Sequence, residues 1–563
     1  MLNGKFNDKW LKMWYDKLVR RCEGINSESR RISMPNFVNP NNSAFQASLN
    51  AKIYVDKSGL IEYTNSVLAS TDAYICNSRP RRFGKSITAN MLVAYYSKGC
   101  DSEEMFSNLE ISKSKDFKKH LNQYDVIHFD VQWCIEPAGG PEHVVKYISK
   151  QILTELRQYY PSLNKVESLP EALSQINTET GNRFVIIIDE WDVLIRDHTV
   201  SETVQDGYID FLRSIFKGSE PTKYIQLAYL TGILPIKRET TQSALNNFRE
   251  FTMVSPKAFD RYIGFTEEEV LKLCTQYDCD FQEVKSWYDG YLLNKYQVYN
   301  PMAVVEVMLC KQFQSFWSET ASYETIVPLI NMDYDGLKTA ILEMLSGAFV
   351  KVNTATFRND ATNIRSKNDV LTYLIHLGYL GYDQVQKTAF VPNEEIRQEL
   401  LSAVEERPWN ELFEFQRESD TLLDATLDLD SETVAEQIEK IHNGYASVIQ
   451  YNNENSLSSV LAIAYLSAIK YYFKPVRELP TGRGFADFVF IPRPEYRSEY
   501  PALVVELKWN KRVQTALQQI KDKKYPESLL EYTGDILLVA ISYNKDRKKD
   551  SGEHSCVIET YSK

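Results

Sequence analysis

Apolar and polar positions along the chain predict buried strands that alternate with helices between residues 53 and 253. The runs 73–77, 126–131, 184–189 and 225–231 are short and mainly apolar. Runs of this kind are typical of strands buried on both faces, and helical apolar spacing between them indicates βαβ units. The pattern therefore predicts an α/β domain built on a parallel sheet.

The apolar pattern is different on the N-terminal and on the C-terminal side of this region. Residues 1–50 are polar apart from helical apolar spacing near their start, and they predict one helix followed by a linker. Strand, loop, strand, helix and strand patterns follow from about residue 476. The expected units are an N-terminal helix and linker (1–50), a parallel-sheet domain (51–265), a helical region (266–399) and acidic helices leading into a small α/β domain (400–563).

Length and composition are those of a multi-domain globular protein. The 563 residues exceed what one hydrophobic core holds, and the apolar (43%) and charged (25%) contents are ordinary. The sequence contains no run of 18 apolar residues, which would predict a membrane span. The first residues also lack the apolar stretch of a secretory signal. The eight cysteines lack zinc-site spacing and are interpreted as reduced thiols, so we expect a cytoplasmic protein with no membrane partner.

The distribution of charge bears on a nucleic-acid partner. A net charge of −12 gives no general attraction to a phosphate backbone. The charge is uneven, because residues 401–460 are strongly acidic whereas residues 470–563 are mildly basic. A mildly basic C-terminal segment is compatible with a nucleic-acid site but does not demonstrate one.

The segment 79–86 reads Arg-Pro-Arg-Arg-Phe-Gly-Lys-Ser and lies between the predicted strand 73–77 and a helical run. A strand, loop and helix in this order can cradle phosphate, because loop N–H groups and the helix N-terminus face the anion. Lys85 would neutralise the β- and γ-phosphates, and Ser86 would supply a hydroxyl to Mg²⁺. Gly-Lys-Ser alone is common, however, and Arg79 replaces the first Gly of the usual P-loop pattern.

The predicted strand 184–189 strengthens the P-loop interpretation because two carboxylates follow its apolar run. Asp189 would hold the Mg²⁺ shell through water, and Glu190 would polarise the attacking water as general base. A strand end that turns into solvent would present the same pair, but the upstream loop favours a nucleotide site. Thr231 ends a third strand, where a γ-phosphate sensor would lie, although an ordinary strand-end Thr explains it equally well.

Five segments together resemble the AAA-ATPase-like family of bacterial and related proteins. They are 54–57, 79–86, the strand end at 188–190, and the segments 231–235 and 245–247. In that family the loop typically begins with Arg, so Arg79 is the family's own variant. The resemblance covers about residues 45–330 and implies a P-loop NTPase fold with ATP and Mg²⁺ as cofactors. The implied ATP contacts are Arg79, Pro80, Arg81, Arg82, Phe83, Gly84, Lys85, Ser86 and Thr231.

Two further groups in the resembling region have less definite roles. Asp56 and Lys57 would act either on the adenine side of the nucleotide or as helix caps. We interpret the aromatic residues around 287–291 and 316–317 as helix packing and not as a base-stacking platform. The ATP site would be completed by one more arginine. It would come either from a neighbouring subunit, which would require a homo-oligomer, or from Arg238 or Arg249 of the same chain.

The C-terminal residues predict a hairpin of two apolar strands that presents charged side chains at one end. Asp487 lies in the first strand, and Glu506 and Lys508 share a face of the second because strand side chains alternate. The segment resembles the PD-(D/E)XK nuclease superfamily domain that many members of the first family carry. The resemblance implies Mg²⁺ at the two carboxylates and Lys508 beside the nucleophile. A surface hairpin with a Glu–Lys pair is the alternative.

Helices on either side of the hairpin supply further candidates. Glu454, before a predicted helix at 456–472, is a candidate metal ligand. Gln519 and Tyr525 follow the second strand and would point toward the site. Catalytic competence is a separate question from fold, since folds keep their shape after losing their chemistry.

Two functions from different classes follow from these observations. The first is an ATPase whose nuclease-like domain cuts or grips DNA or RNA under nucleotide control. The second is a nucleotide-switched regulatory or scaffold protein whose nuclease-like domain binds a partner without cleavage. The net charge of −12 favours the second function, whereas intact Asp487, Glu506 and Lys508 favour the first.

Overall fold

The computed structural model describes most of the chain beyond the first 36 residues. The described ranges are 37–197, 199–236, 245–317, 323–332, 334, 336–359, 364–405, 410–445, 461, 464–473, 475–481, 484–493, 496–522, 534–544 and 553–561. The helix predicted near the N-terminus lies outside them, as do Glu454, Tyr525 and Arg238. No helix in the described ranges is long and apolar enough to cross a membrane.

Residues 37–50 were expected in a linker, but they pack onto the domain that follows. Phe37 and Val38 are buried, and their N–H groups donate to the Glu155 carboxylate at 3.1 and 2.8 Å. Val38 also forms an antiparallel bridge with Ile127. Two apolar residues in a polar stretch are too few to set a period, so the sequence pattern gave no sign of this contact.

The four predicted strands are confirmed to within one residue at each end. They are β1 to β4 of the first half of the chain. Its helices and strands are α1 Ser43–Leu49, α2 Leu60–Val67, β1 Tyr74–Ser78, α3 Lys85–Tyr96, α4 Glu103–Phe106, α5 Phe117–His120, β2 Asp125–Asp130, α6 Val131–Ala138, α7 Val144–Tyr159, α8 Leu169–Thr180, β3 Phe184–Asp189, α9 Val193–Arg196, α10 Glu202–Phe216, α11 Pro221–Tyr224, β4 Ile225–Gly232 and β5 Arg249–Phe251.

The first sheet has the strand order β2-β3-β4-β1-β5, and all its neighbouring pairs are parallel. Alternate residues of its strands enter two separate apolar clusters. One cluster contains α3 side chains, and the other contains side chains of α7, α8 and α10. Helices therefore cover both faces, and the predicted parallel α/β sheet is confirmed. Because all strands run the same way, their carboxyl ends meet at one edge.

The middle of the chain contains helices together with two small antiparallel sheets, ordered β6-β8-β7 and β10-β11-β9. Its elements are β6 Phe265–Thr266, α12 Glu267–Tyr277, α13 Phe281–Tyr288, β7 Tyr291–Leu293, β8 Tyr296–Tyr299, α14 Pro301–Cys310, α15 Tyr323–Ile330, α16 Leu337–Leu345, β9 Val350–Lys351, α17 Lys367–Leu377, β10 Gly381–Asp383, β11 Thr388–Phe390 and α18 Glu394–Glu405. The aromatic side chains at 287, 288, 291, 316 and 317 are buried, so their interpretation as packing residues is confirmed.

The C-terminal part is a five-stranded mixed sheet in the described residues, ordered β12-β13-β14-β15-β16, with β14 and β15 parallel. Its elements are α19 Asn410–Leu427, α20 Ser431–Tyr445, β12 Val476–Thr481, β13 Gly484–Phe490, β14 Ala502–Trp509, α21 Val513–Asp522, β15 Ile536–Tyr543 and β16 His554–Tyr561. Helix α21 packs on one face of the sheet, and α19 and α20 pack on the other. Short 3-10 helices of the chain span Glu110–Lys113, Pro141–His143, Pro161–Lys165, Lys257–Phe259 and Leu466–Lys470.

Candidate nucleotide and metal sites

The loop 79–86 connects β1 to α3 and turns through two residues with positive φ. Arg82 has φ 63°, and Gly84, which precedes the first helical residue, has φ 91°. A Cβ atom built on Gly84 would meet no atom within 4 Å, so backbone conformation and not space is the reason for Gly there. Gly84 directly precedes α3, a helix of 12 residues, and it lines the cavity above the loop.

A cavity of about 730 Å³ lies above this loop. Cavities of about 300–1,000 Å³ are typical of small-molecule sites. Residues of the loop, of the segment before α2, of the ends of β2 and β3, of α9, of α14 and of the segment around Phe265 form its walls. They include Tyr54, Val55, Arg81, Arg82, Phe83, Gly84, Lys85, Ser86, Asp130, Glu190, Arg196, Phe265 and Met302.

Lys85 brings a positive charge to the base of the cavity. Its Nζ donates to the Pro80 carbonyl at 2.9 Å and lies 4.0 Å from Oε1 of Glu190. The side chain is 4% exposed. Burial lowers the pKa of Lys85, and the charges of Glu190 and Asp189 oppose that effect. An added anion would therefore find a cation that few water molecules screen.

Asp189 and Thr231 meet at the ends of adjacent strands. The Thr231 hydroxyl donates to Oδ1 of Asp189, and the Glu190 N–H donates to the same oxygen at 3.0 Å. Both side chains are buried. Glu190 has φ 50°, a left-handed conformation that is uncommon outside Gly, and this turn directs its carboxylate into the cavity.

Asp130 is a third carboxylate at this edge, and the sequence analysis did not single it out. It is the last residue of β2 and is paired in register with Asp189 of β3. Burial raises the pKa of Asp130 to about 6, with contributions from the charges of Asp189 and Glu190. The predicted strand 126–131 already contained this Asp, so the rule that parallel strands end at one edge was a signal for it.

Arg196 is a second residue that the sequence analysis did not single out. Its Nη2 lies 2.5 Å from Oε2 of Glu190, and its Nε lies 3.5 Å from Oδ2 of Asp192. The Asp192 carboxylate also accepts the N–H groups of Ile233 and Leu234 at 3.0 and 2.7 Å. Nothing in the local sequence pattern indicates that a short helix returns this guanidinium to the carboxylate.

The other arginines of the loop have different positions. The guanidinium of Arg79 is fully buried and donates to the carbonyls of Ser78, Phe251 and Phe259 at 2.8–3.0 Å. Its side chain therefore braces the loop from behind and is not part of the cavity wall. Arg81 and Arg82 line the cavity, and Arg82 contacts the Met302 sulfur.

The two roles left open for Asp56 and Lys57 can be compared with their contacts. The Asp56 carboxylate accepts the N–H groups of Ser58 and Glu110 at 2.8 and 2.6 Å, the second at the start of a 3-10 helix. Lys57 reaches the cavity, but its Nζ is paired with Glu269 at 2.6 Å. Both contacts lie at helix ends. Asp56 binds the start of a 3-10 helix, and Glu269, the partner of Lys57, belongs to the capping box of α12.

In the C-terminal sheet, the hairpin β13–β14 brings the predicted residues together. The register Phe488↔Val505 places Asp487 across from Glu506, and Oδ2 of Asp487 accepts the Leu507 N–H at 2.7 Å. Glu506 and Lys508 lie on one face of β14, with Lys508 Nζ 2.8 Å from Oε1 of Glu506.

Helix α21 completes this cluster from above. The Gln519 side chain donates to the same Glu506 oxygen, in keeping with its expected orientation toward the site. Glu506 is 1% exposed and Lys508 is 6% exposed, so the pair is shielded from bulk water. The Glu–Lys pair is buried and Asp487 is half-buried, whereas a solvated surface hairpin would expose these side chains.

The residues present fit Mg²⁺ at both places. Within the described ranges, no group of three or more His, Cys, Asp or Glu side chains could hold a metal ion. Mg²⁺ does not need such a cage, because it commonly keeps several waters and takes one or two carboxylates with substrate phosphates. Ser86 and Asp189 would supply hard oxygen ligands at the first site, and Asp487 and Glu506 would supply them at the second.

Two stretches of the chain match known families. Residues 45–241 match the family described as Predicted AAA-ATPase, and residues 452–551 match the PD-(D/E)XK nuclease superfamily. Both are families that the sequence resembles, so that resemblance is confirmed. Together with the parallel sheet and its helices, the first match shows a P-loop NTPase fold, and the second match spans the hairpin β13–β14.

The chain is also similar to a curated relative and to solved structures. The relative, "Uncharacterized protein in vnfD 5'region" of Azotobacter chroococcum mcd 1, is 24% identical over 363 residues. That match covers 61% of this chain and 63% of the relative, so the chain spans less than two thirds of the relative's length. The structure of the Aeropyrum pernix ORC2 protein (ADPNP-ADP complexes) matches 67% of this chain and 98% of its own, with 10% identity and a TM-score of 0.29.

Proposed function

We propose that the chain is an ATPase that binds and hydrolyses ATP in the cavity above the loop 79–86. The observation that carries this proposal is the convergence of Lys85, Ser86, Asp130 and Glu190 on one cavity of about 730 Å³. A cation, a hydroxyl and carboxylates around a helix N-terminus are the groups that phosphoryl transfer to water requires.

In the proposed reaction, Glu190 accepts a proton from a water molecule as the water oxygen bonds to the γ-phosphorus. The bond between that phosphorus and the β–γ bridging oxygen breaks, and ADP and inorganic phosphate leave. The proton on Glu190 then returns to solvent. Lys85 would neutralise charge on the β- and γ-phosphates, and backbone N–H groups at the start of α3 would face them.

Ser86 and Asp189 would hold the Mg²⁺ ion that accompanies ATP. When bound, the ion would neutralise phosphate charge that develops as the bond breaks. Thr231 would keep the Asp189 carboxylate in one orientation through its hydrogen bond. Thr231 would therefore orient a metal ligand, besides contacting the γ-phosphate.

Packing supports a route from the loop to the C-terminal domain through α18. A Cβ atom on Gly378, which ends α17, would lie 2.8 Å from Pro80 and 2.9 Å from Trp317, so these residues are in close contact. The N–H of Phe316 donates to Glu395 of α18 at 2.9 Å. A shift of the phosphate loop would therefore press on residues that hold α18 in place.

The opposite end of this route lies in the nuclease-like domain. Glu394, which begins α18, is paired with Arg493, just after β13, and with Arg397 at 3.3 Å. β13 carries Asp487, one of the candidate metal ligands. We therefore infer that ATP binding alters the position of the hairpin β13–β14 and so controls Mg²⁺-dependent cleavage or gripping of DNA or RNA.

The test combines ATPase and nuclease assays on the full chain with Mg²⁺ and mixed DNA and RNA. Lys85→Ala should abolish ATP turnover, and Glu506→Ala should abolish cleavage while ATP turnover continues. Lys146→Ala and Glu499→Ala are matched controls, because both side chains are exposed and neither lines the cavity. Nucleotide affinity that is unchanged in Lys85→Ala would remove the ATP-site assignment.

A second function is distinguished by the same assay. If ATP is hydrolysed but no DNA or RNA is cut, the C-terminal domain acts as a binding module of a nucleotide-switched regulatory protein. The net charge of −12 is the observation that favours this outcome. If cleavage occurs and is unchanged in Glu506→Ala, the nuclease site has been assigned to the wrong residues.

A further inference from the structure

Two cations flank the Glu190 carboxylate from different sides. Nη2 of Arg196 lies 2.5 Å from Oε2, whereas Nζ of Lys85 lies 4.0 Å from Oε1. All three side chains line the same cavity. The group proposed as general base is therefore engaged in a charge-assisted hydrogen bond with Arg196.

The guanidinium of Arg196 is fixed from behind by the buried Asp192. Its Nε lies 3.5 Å from Oδ2 of Asp192, which also accepts two backbone N–H groups after β4. Burial alone would lower the pKa of Arg196, but Asp192 and Glu190 outweigh burial and raise it. The guanidinium therefore remains a positive charge in the site throughout the physiological pH range.

A carboxylate in a short, charge-assisted pair with Arg is held in one orientation. That orientation is set by the guanidinium and not by a water molecule beside a phosphate. Activation of Glu190 then requires another anion that engages Arg196.

A γ-phosphate would be such an anion. A phosphate beside Lys85 would lie next to the same carboxylate that Arg196 contacts, because the two cations flank that carboxylate. Arg also binds phosphate oxygens well, since its planar donors match their spacing. Glu190 and the γ-phosphate would consequently compete for one guanidinium, whereas ADP lacks the competing group.

We propose that Arg196 is a positioning residue that passes from Glu190 to the γ-phosphate, so that ATP but not ADP releases the general base. This inference rests on the proposed ATPase function and adds a means of regulating it. Glu190 is freed only when the phosphate that it acts on is in place. The exchange also gives the site a preference for triphosphates over diphosphates.

The first test measures binding of Mg²⁺ with ADP and with the non-hydrolysable imido analogue of ATP, by calorimetry on the full chain. Arg196→Ala should weaken binding of the analogue by about tenfold or more, the effect of losing one charge-assisted contact. ADP affinity should be unchanged within the error, which also shows that the variant is folded. Arg196→Lys, which keeps the charge without the planar donors, should fall between wild type and Arg196→Ala.

The second test asks whether Arg196 acts through Glu190. Glu190→Gln removes the ion pair in the free chain and should strengthen binding of the analogue several-fold. In an Arg196→Ala background the same substitution should have at most about a twofold effect, because no pair remains to be released. An undiminished gain in that background would overturn the inference and attribute the gain to removal of repulsion between Glu190 and phosphate.

Failure of this inference can be separated from failure of the proposed function. If wild type binds both nucleotides and Lys85→Ala does not, the ATP site stands. Equal weakening of ADP and analogue in Arg196→Ala would then give Arg196 a purely structural role. Arg213→Ala is the matched control, because Arg213 pairs with Asp210 on α10 at 3.0 Å, away from the cavity lining.

Discussion

Arg79 and Lys85 belong to one loop and carry the same charge, yet only Lys85 reaches the cavity. Arg79 instead satisfies three backbone carbonyls, two of which come from residues 251 and 259. Burial lowers the pKa of Arg79 to about 10, which still leaves it charged near neutral pH. The side chain therefore acts as a brace, and the phosphate contacts would come from the second half of the loop.

Asp130 offers a prediction about pH at the scale of a single residue. Its pKa is raised from the ordinary 3.8 to about 6, so the folded chain retains this proton more strongly than the unfolded chain does. The stability that the neutral carboxyl contributes is present below pH 4 and is lost as the pH rises through 6. Asp130→Asn should therefore match wild type in stability at pH 4 and exceed it at pH 7.

The expected gain at pH 7 is on the order of 1 kcal/mol, reduced from the full shift because the carboxyl is partly solvated. Urea unfolding at pH 4, 5.5 and 7 measures it. Asn keeps the hydrogen bond to the Trp133 N–H at the start of α6, so the helix cap is not the cause of any difference. A stability difference that is constant across this pH range would contradict the assignment.

The same substitution should reduce ATP turnover if Asp130 helps to place Mg²⁺ or water. A gain in stability with a loss of activity is common where a functional site keeps charges close together. Lys85 could be predicted because it lies in a sequence motif. Asp189 and Glu190 could be predicted because they lie at the end of a predicted strand. Asp130 and Arg196 needed the register of the sheet and the path of α9, which local sequence does not determine.

At the scale of elements, the quality of prediction followed the length of the apolar run. β1 to β4 were predicted to within one residue because a parallel strand covered on both faces is a continuous apolar run. The small sheets of the middle region were not predicted, since strands of two to four residues establish no period. The hairpin β13–β14 was predicted, because its second strand combines an apolar run with a Glu-x-Lys end.

The contact between the end of α17 and the phosphate loop gives a prediction at this scale. Gly378 has φ 90°, and a Cβ atom there would lie 2.8 Å from Pro80. Gly378→Ala should cost about 1 kcal/mol for the left-handed conformation and should also displace the loop. We expect weaker binding of ATP, measured by calorimetry, because Lys85 is held through the carbonyl of Pro80.

Gly181→Ala is the matched control for this prediction. Gly181 ends α8 with φ 74°, and a Cβ atom there would meet nothing within 4 Å. It should lose similar stability and keep wild-type ATP affinity. If the two variants bind ATP equally well, the contact between α17 and the loop does not influence the nucleotide site.

At the scale of the whole molecule, α18 begins with two adjacent buried carboxyl groups that have different partners. Glu394 contacts the guanidinium groups of Arg397 and Arg493. Burial raises the pKa of Glu395 to about 8, so near neutral pH this carboxyl is mostly neutral. The Glu394 carboxylate ties the C-terminal sheet to the rest of the chain, whereas Glu395 supports the segment around Phe316.

Glu394→Gln should loosen this tie. Two buried arginines would lose their carboxylate, and breaking such a pair costs about 3–5 kcal/mol. We expect earlier unfolding in urea and faster hydrogen exchange in β13 and β14. The effect of ATP on exchange in these strands should disappear if α18 carries the coupling.

Glu399→Gln is the control for α18. Its carboxylate accepts the Ser315 hydroxyl at 2.5 Å and is only partly buried, so we expect a loss below about 1 kcal/mol. ATP should still change exchange in β13 and β14 of this variant. Retention of the ATP effect in Glu394→Gln as well would place the coupling elsewhere.

The hydrogen bonds of Arg79 also determine when, during synthesis of the protein, the loop 79–86 can reach its final structure. The carbonyl of Phe259 that Arg79 binds lies 180 residues further along the chain. At roughly 5–20 residues per second, a ribosome needs about 10–40 s to supply it after Arg79 is made. We expect the nascent chain to bind no ATP during that interval, so the incomplete chain would not consume nucleotide before residue 259 has been made.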